Sequence, residues 1–228
     1  MVPTRRILDQ KMRALEDDLI SLGSMVEDAL VESVDVLKRR DFGASRRLIA
    51  ADKQINAKRY EIEREAIIIV ATQQPMATDL RLLASILELA TELERIGDYA
   101  KGIASINLKI GEEPLIKPLI DLPRMAELAA DMLHQALAAF VARDTEAARS
   151  IIHRDDEVDA LYDQVYRELM TLILENPRNI EQANYLLWAA HNLERSADRV
   201  TNICERTIFV VTGELADMDS IEAEKDME

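Results

Sequence analysis

Two stretches of this 228-residue chain repeat one another. Asp41, Ala44, Leu48, Asp52, Ile55, Ile62 and Glu65 recur as Asp144, Ala147, Ile151, Asp155, Val158, Val165 and Glu168, at an offset of 103. Further along the offset becomes 100, where Leu87, Ala90, Leu93, Gly97, Ala100 and Ala104 recur as Leu187, Ala190, Leu193, Ala197, Val200 and Cys204. The matched positions step by threes and fours, the spacing of one face of an α-helix. The change of offset falls in a turn, where length changes are tolerated. A duplicated unit of this kind buries the same apolar stripe twice.

The turn-forming residues set the size of the unit. Gly and Pro number six each in the whole chain, too few for the tight turns of a sandwich or barrel. Breaks are expected near Asp41-Phe42-Gly43, at Gln74-Pro75, across Gly111 to Pro123, near Arg143-Asp144 and at Asn176-Pro177. Asn176 reads as an N-cap followed by a first-turn proline. Six segments with helical periodicity lie between these marks. The expected fold is all-α: two tandem three-helix bundles, six long helices in total. The expected boundaries are 1–111 for the first bundle, 112–121 for a linker, 122–213 for the second bundle and 214–228 for an acidic, disordered tail.

The same composition excludes several functions. A net charge of −15 repels phosphate backbones, so nucleic acid is not an expected partner. A single cysteine, Cys204, allows neither an internal disulfide nor a cysteine-based zinc site, which suits a reducing compartment. Its repeat counterpart is Ala104, so it reads as a small core residue rather than a nucleophile. The longest apolar runs, such as Ala66 to Ala71, are far shorter than the ~20 residues a membrane span needs. No signal peptide is expected, and the chain reads as cytoplasmic.

The chemistry in the sequence lies in its carboxylates. Leu93-Glu94-Arg95-Ile96-Gly97-Asp98 recurs as Leu193-Glu194-Arg195-Ser196-Ala197-Asp198. Acids four apart share a helix face, where they repel one another unless a cation intervenes. If the second and third helices of each repeat run antiparallel, Asp52 reaches the level of Glu94 and Asp98. Asp155 and Asp159 likewise reach Glu194 and Asp198, since all lie about 20 residues from their turn. Asp28 and Asp131 offer a weaker third contribution from the first helix of each repeat. Such a cluster can ligate a hard cation through oxygen. It can equally be a solvated face paired with Arg59, Arg95 and Arg195. Ferritin-like di-iron sites need Glu-x-x-His. Here Gly97 and Ala197 stand three residues after Glu94 and Glu194, against an oxidising carboxylate enzyme. His134, His153 and His191 are set aside, the last because its counterpart is Thr91. No phosphate loop, serine triad or dinucleotide fingerprint is present.

Three segments carry a resemblance: Gln74-Pro75-Met76-Ala77-Thr78-Asp79-Leu80-Arg81, Glu92 to Asp98, and Asn192-Leu193-Glu194-Arg195 with Asp198 and Asn202-Ile203-Cys204-Glu205. Their order, spacing and duplication resemble the PhoU family, the accessory regulators of phosphate-specific transport, across almost the whole chain. The resemblance implies two three-helix bundles related by an approximate two-fold, and a regulator rather than an enzyme. It implies restraint of the phosphate ABC transporter and signalling to its sensor histidine kinase. The expected partners are the transporter's ATP-binding subunit, that kinase and a second copy in a homodimer, with the membrane reached only through partners. It further implies metal ions on acidic E(D)xxxD motifs, here Glu94/Asp98, Glu194/Asp198 and Asp155/Asp159, with Asp52 beside the first. The expected cofactors are divalent or trivalent metal ions, with Mg, Mn or Fe favoured over Zn. Asn56 replaces the counterpart of Asp159, which weakens the first motif, and Ser196-Ala197 departs from the family's Ile-Gly pair. A metal-free helical scaffold and, less favoured, a carboxylate metal enzyme are the alternatives.

Overall fold

The computed structural model describes residues 2–214. Almost every described residue is helical, and no strand occurs among them. The helices are α1 (Val2–Arg39), α2 (Phe42–Gln73), α3 (Thr78–Ile110), α4 (Asp121–Ala142), α5 (Thr145–Ile152), α6 (Asp155–Glu175) and α7 (Ile180–Thr212). They form the six expected rods, with the fifth broken into α5 and α6. Helices α1, α2 and α3 pack as one bundle and α4 to α7 as the other. The bundles join along two seams, α3 against α7 and α1 against α4. The expected acidic tail lies, apart from Glu214, outside the described residues.

The apolar periodicity explains the packing. On α1, Leu8, Met12, Leu15, Leu19, Leu22, Val26, Leu30, Val34 and Leu37 form one buried stripe. Their steps of three and four keep it on a single face over the length of the rod. The stripes of both bundles merge into one continuous core, which includes Cys204. Burial pushes the Cys204 thiol up to about 12, so it stays protonated and inert.

Repeat-matched residues end the rods. Arg40 and Arg143 close α1 and α4 in the left-handed region, at φ 57° and 58°. Asp41 and Asp144 then cap the next helix. Asp41 accepts from the Ala44 N–H at 2.8 Å, and Asp144 from Glu146 and Ala147 at 3.1 and 3.0 Å. Asn176 also caps, accepting from Arg178 N–H at 3.2 Å ahead of a 3-10 turn that begins at Pro177. The break between α5 and α6 at His153-Arg154 is unexpected. Ala50-Ala51 carries the first repeat straight through this level inside α2. In the second, Arg154 turns to Asp131 on α4 at 2.8 Å. Asp155, Asp156 and Glu157 then supply the acidic first turn that a new helix N-terminus favours.

The connection between the bundles, residues 111–120, is strapped to the second one. Gln182 accepts from the Ile116 N–H at 2.6 Å and donates to the Pro114 carbonyl at 3.0 Å. Lys117 is buried there and pairs with Glu168 and Asp121.

Candidate functional site

Helices α2 and α3 approach closely beside Gly97, where an added Cβ would lie 3.1 Å from Ile55 Cδ1. This contact sets Asp52, one turn before Ile55, against Asp98. Asp52 is only 7% exposed. Its Oδ2 accepts from the Lys101 ammonium at 2.9 Å and from the Asn56 amide at 3.1 Å. Lys101 also reaches Asp98 Oδ1 at 3.1 Å. Glu94 stands beside this group; burial raises its pKa, helped by Asp98 and Asp52 and opposed by Arg59 and Arg95. The first cluster thus contains Asp52, Asn56, Glu94 and Asp98, with an ammonium already at its centre.

The second cluster is built from α6 and α7. Asp155 is half-buried at the first turn of α6, and its Oδ1 has no hydrogen-bond partner. Burial, and then the charges of Asp159, Asp198, Glu194 and Asp156, push its pKa up to about 7. The charges acting most strongly on it are therefore all carboxylates. Burial and Asp198 raise Asp159 and Glu194 in the same direction. His191 Nδ1 lies 3.1 Å from Glu194 Oε2, but that oxygen is left without a properly aligned donor. At the position matching Lys101 stands Thr201, whose hydroxyl turns back to the Asp198 carbonyl oxygen at 2.8 Å.

The structure therefore gathers Asp155, Asp159, Glu194 and Asp198 into one group, and Asp52, Glu94 and Asp98 into another. Asp131 does not join the second group, because it pairs with Arg154 and accepts from Gln135 at 2.9 Å. Arg59 and Arg95 act on Glu94, and Arg195 on Glu194, but the last two make their direct contacts elsewhere. Arg95 meets Glu92 at 3.5 Å, and Arg195 donates to the Tyr99 hydroxyl at 3.1 Å across the α3–α7 seam. Among the described residues, no group of three or more His, Cys, Asp or Glu side chains is arranged to hold a metal ion as it stands. Uncompensated carboxylates repel one another, and a cation is what draws such a set together. The second group has the donor chemistry for a hard cation: oxygen ligands, two buried oxygens without partners, and local excess negative charge. In the first group Asp52 Oδ1 is likewise buried without a partner, but one ammonium, Lys101, already stands between Asp52 and Asp98.

Sequence reasoning misses Lys101 and leaves His191 out. Lys101 follows Asp98 by three residues and has no counterpart in the second repeat, a departure from the duplication that was there to be read. His191 was set aside because its counterpart is Thr91, yet it stands beside Glu194, with Tyr162 and Trp188 rings 6.2 and 6.5 Å away.

The fold and its paired acidic groups define a class: duplicated all-helical proteins with matched carboxylate clusters, one on each of two bundles. The chain belongs to the PhoU family, since the PhoU domain model matches it twice, over residues 19–106 and 122–207. An Aquifex aeolicus protein named as a phosphate-specific transport system accessory protein PhoU homolog is 34% identical over 91% of this chain and 94% of its own length. A Rhizobium meliloti protein of the same name is 34% identical over 90% and 87%. The crystal structure of the phosphate transport system regulatory protein PhoU from Streptococcus pneumoniae superposes with a TM-score of 0.86, at 31% identity. It covers 92% of this chain and 99% of the other. PhoU from Pseudomonas aeruginosa gives 0.85 at 32% identity, covering 90% and 99%.

Proposed function

We propose that this chain is an accessory regulator of a phosphate transport system, working by contact with partners rather than by catalysis. The observation that carries this reading is the end-to-end match to relatives bearing that name, which spans both repeats and nine-tenths of each chain. In this reading the chain restrains uptake by docking on the transporter's ATP-binding subunit and passes the state of the transporter to a sensor histidine kinase. In this reading it acts from the cytoplasm. No described helix is long and apolar enough to cross a membrane. A homodimer is the proposed assembly.

Metal belongs to the second bundle. Asp155, Asp159, Glu194 and Asp198 would hold a divalent or trivalent ion, with Mg, Mn or Fe favoured over Zn by the hardness of oxygen donors. The ion would supply positive charge that fixes α6 against α7. The residues themselves set the geometry: α6 presents two carboxylates one turn apart, and α7 presents two more.

Deleting the gene in its host tests the regulatory role. Phosphate uptake in phosphate-replete medium is expected to rise, and the wild-type gene to restore restraint. Unchanged uptake and signalling would remove this reading. Metal analysis of the purified chain tests the site. The variant Glu194→Ala/Asp198→Ala is expected to lose the bound ion; equal metal content would remove the ligand assignment.

A further inference from the structure

The two acidic clusters occupy matched positions, but only the first contains a lysine. Lys101 Nζ stands 2.9 Å from Asp52 Oδ2 and 3.1 Å from Asp98 Oδ1, bridging the helices that a metal ion would bridge. Asp52 is more than nine-tenths buried; its Oδ2 accepts from both Lys101 and Asn56, while its Oδ1 has no hydrogen-bond partner. The cation at that level is therefore built into the fold. In the second bundle the same position is Thr201, whose hydroxyl is committed to its own helix backbone.

We infer that Lys101 is a tethered counter-ion that keeps metal out of the first cluster, so that this chain loads metal in its second bundle alone. The inference rests on the metal-site reading given above for the second bundle, and it adds that the duplication has been split into one metal cluster and one lysine-closed cluster. Two physical effects produce the exclusion. An ammonium 3 Å from two carboxylates stands where an ion with ligand distances of about 2.0–2.5 Å would have to sit. Its charge also repels an incoming cation and has to be withdrawn into water before the carboxylates can turn inward. Threonine at position 101 removes both effects and copies the second repeat.

The test is Mn²⁺ binding to the full chain, followed by equilibrium dialysis and by the electron paramagnetic resonance of free Mn²⁺. Four proteins are compared: wild type, Lys101→Thr, Asp155→Asn/Asp159→Asn, and the triple variant combining them. Circular dichroism establishes that each is folded. The wild type is expected to bind one equivalent and Lys101→Thr two. Asp155→Asn/Asp159→Asn is expected to bind none, and the triple variant to recover one. Affinity at the first cluster should rise by roughly tenfold or more when the lysine is removed. Retention of one equivalent by folded Asp155→Asn/Asp159→Asn that is lost on adding Glu94→Ala/Asp98→Ala would overturn the inference, because the first cluster would then take metal with Lys101 in place. So would a folded triple variant that binds none. A wild type that binds none, beside a triple variant that binds one, would remove the second-bundle reading and leave the role of Lys101 standing. A glutamine at position 101 keeps the volume and drops the charge. Gain of metal by Lys101→Gln assigns the exclusion to charge, and a folded Lys101→Thr that gains none overturns it.

Discussion

The two bundles share a duplicated sequence and a fold, yet they treat a matched aspartate, buried in one and half-buried in the other, in opposite ways. In the first, Asp52 is given an ammonium and an amide within 3.1 Å. In the second, Asp155 faces other carboxylates, and its pKa is pushed up to about 7. A carboxylate leaning into a core is costly unless something compensates it. One copy compensates with a lysine of its own, and at the matched position the other has Thr201, whose hydroxyl turns back to its own helix. Duplication thus preserves the scaffold while letting the chemistry of each copy diverge through a few positions, here Lys101 against Thr201 and Asn56 against Asp159.

The contrast can be broken most forcefully at Lys101. In metal-free protein, Lys101→Met leaves the Asp52 charge buried without its cation. Urea denaturation at neutral pH should show a loss on the order of 2 kcal/mol, less than for a fully buried pair because the lysine is partly solvated. Thr201→Val at the matched position should change stability by less than about 0.5 kcal/mol. Equal losses would mean that the two clusters are electrostatically alike.

The next effect is a pH dependence peculiar to the second bundle. The Asp155 carboxyl titrates near 7 in the folded chain and near the ordinary aspartate value of 3.8 when unfolded. Between those values the folded state holds a proton that the unfolded state has lost. The contribution of this residue to stability therefore falls as pH rises from about 4 to 7 and stays low above that. Asp155→Asn should flatten this fall and raise the stability of the metal-free protein at pH 8 by on the order of 1 kcal/mol, after allowance for the solvent that reaches this half-buried site. Asp52→Asn should not stabilise, because it discards the charge pair with Lys101. Thermal denaturation across pH 4–8 checks both statements.

A smaller test sharpens where the copies remain equivalent. Asp41→Ala and Asp144→Ala should each cost about 1 kcal/mol by removing an N-cap. Asp144 should lose slightly more, since it accepts from two N–H groups. A large difference between them in chemical denaturation would extend the divergence from the clusters to the scaffold itself.

The scaffold was open to reading in the sequence because helical burial is periodic and the period occurs twice. Leu93 and Leu193, or Ile62 and Val165, declare their faces without reference to anything distant. The break at His153-Arg154 was harder, because it depends on Arg154 finding Asp131 on another helix. Its one local sign was the run Asp155-Asp156-Glu157, an acidic first turn in what looked like mid-helix. Among the site residues, the acids could be placed at one level from helix rise alone. Their compensation could not, since whether Lys101 reaches Asp52 or water depends on how closely α2 approaches α3 at Gly97. The polar seam between the bundles was equally hidden. Glu92 meets Arg199 and Asn202 there, and Glu88 meets Arg206, contacts separated by more than 100 residues.

The antiparallel run of α3 against α7 has a consequence for how many proteins this chain can hold. Arg81 at the start of α3 touches Gly213 just beyond the end of α7, while Lys109 and Ile110 share a cleft with Arg178 and Gln182 at the other end. The α2–α3 and α6–α7 turns thus project from opposite ends of a shaft roughly 50 Å long, at 1.5 Å per helical residue. Exposed Met76 and Leu80 mark one tip, and Leu174 and Ile180 the other. Two visitors seated on the two tips would not collide, and a single one touching both would have to be longer than the shaft. The molecule has the proportions of a coupling rod rather than a plug.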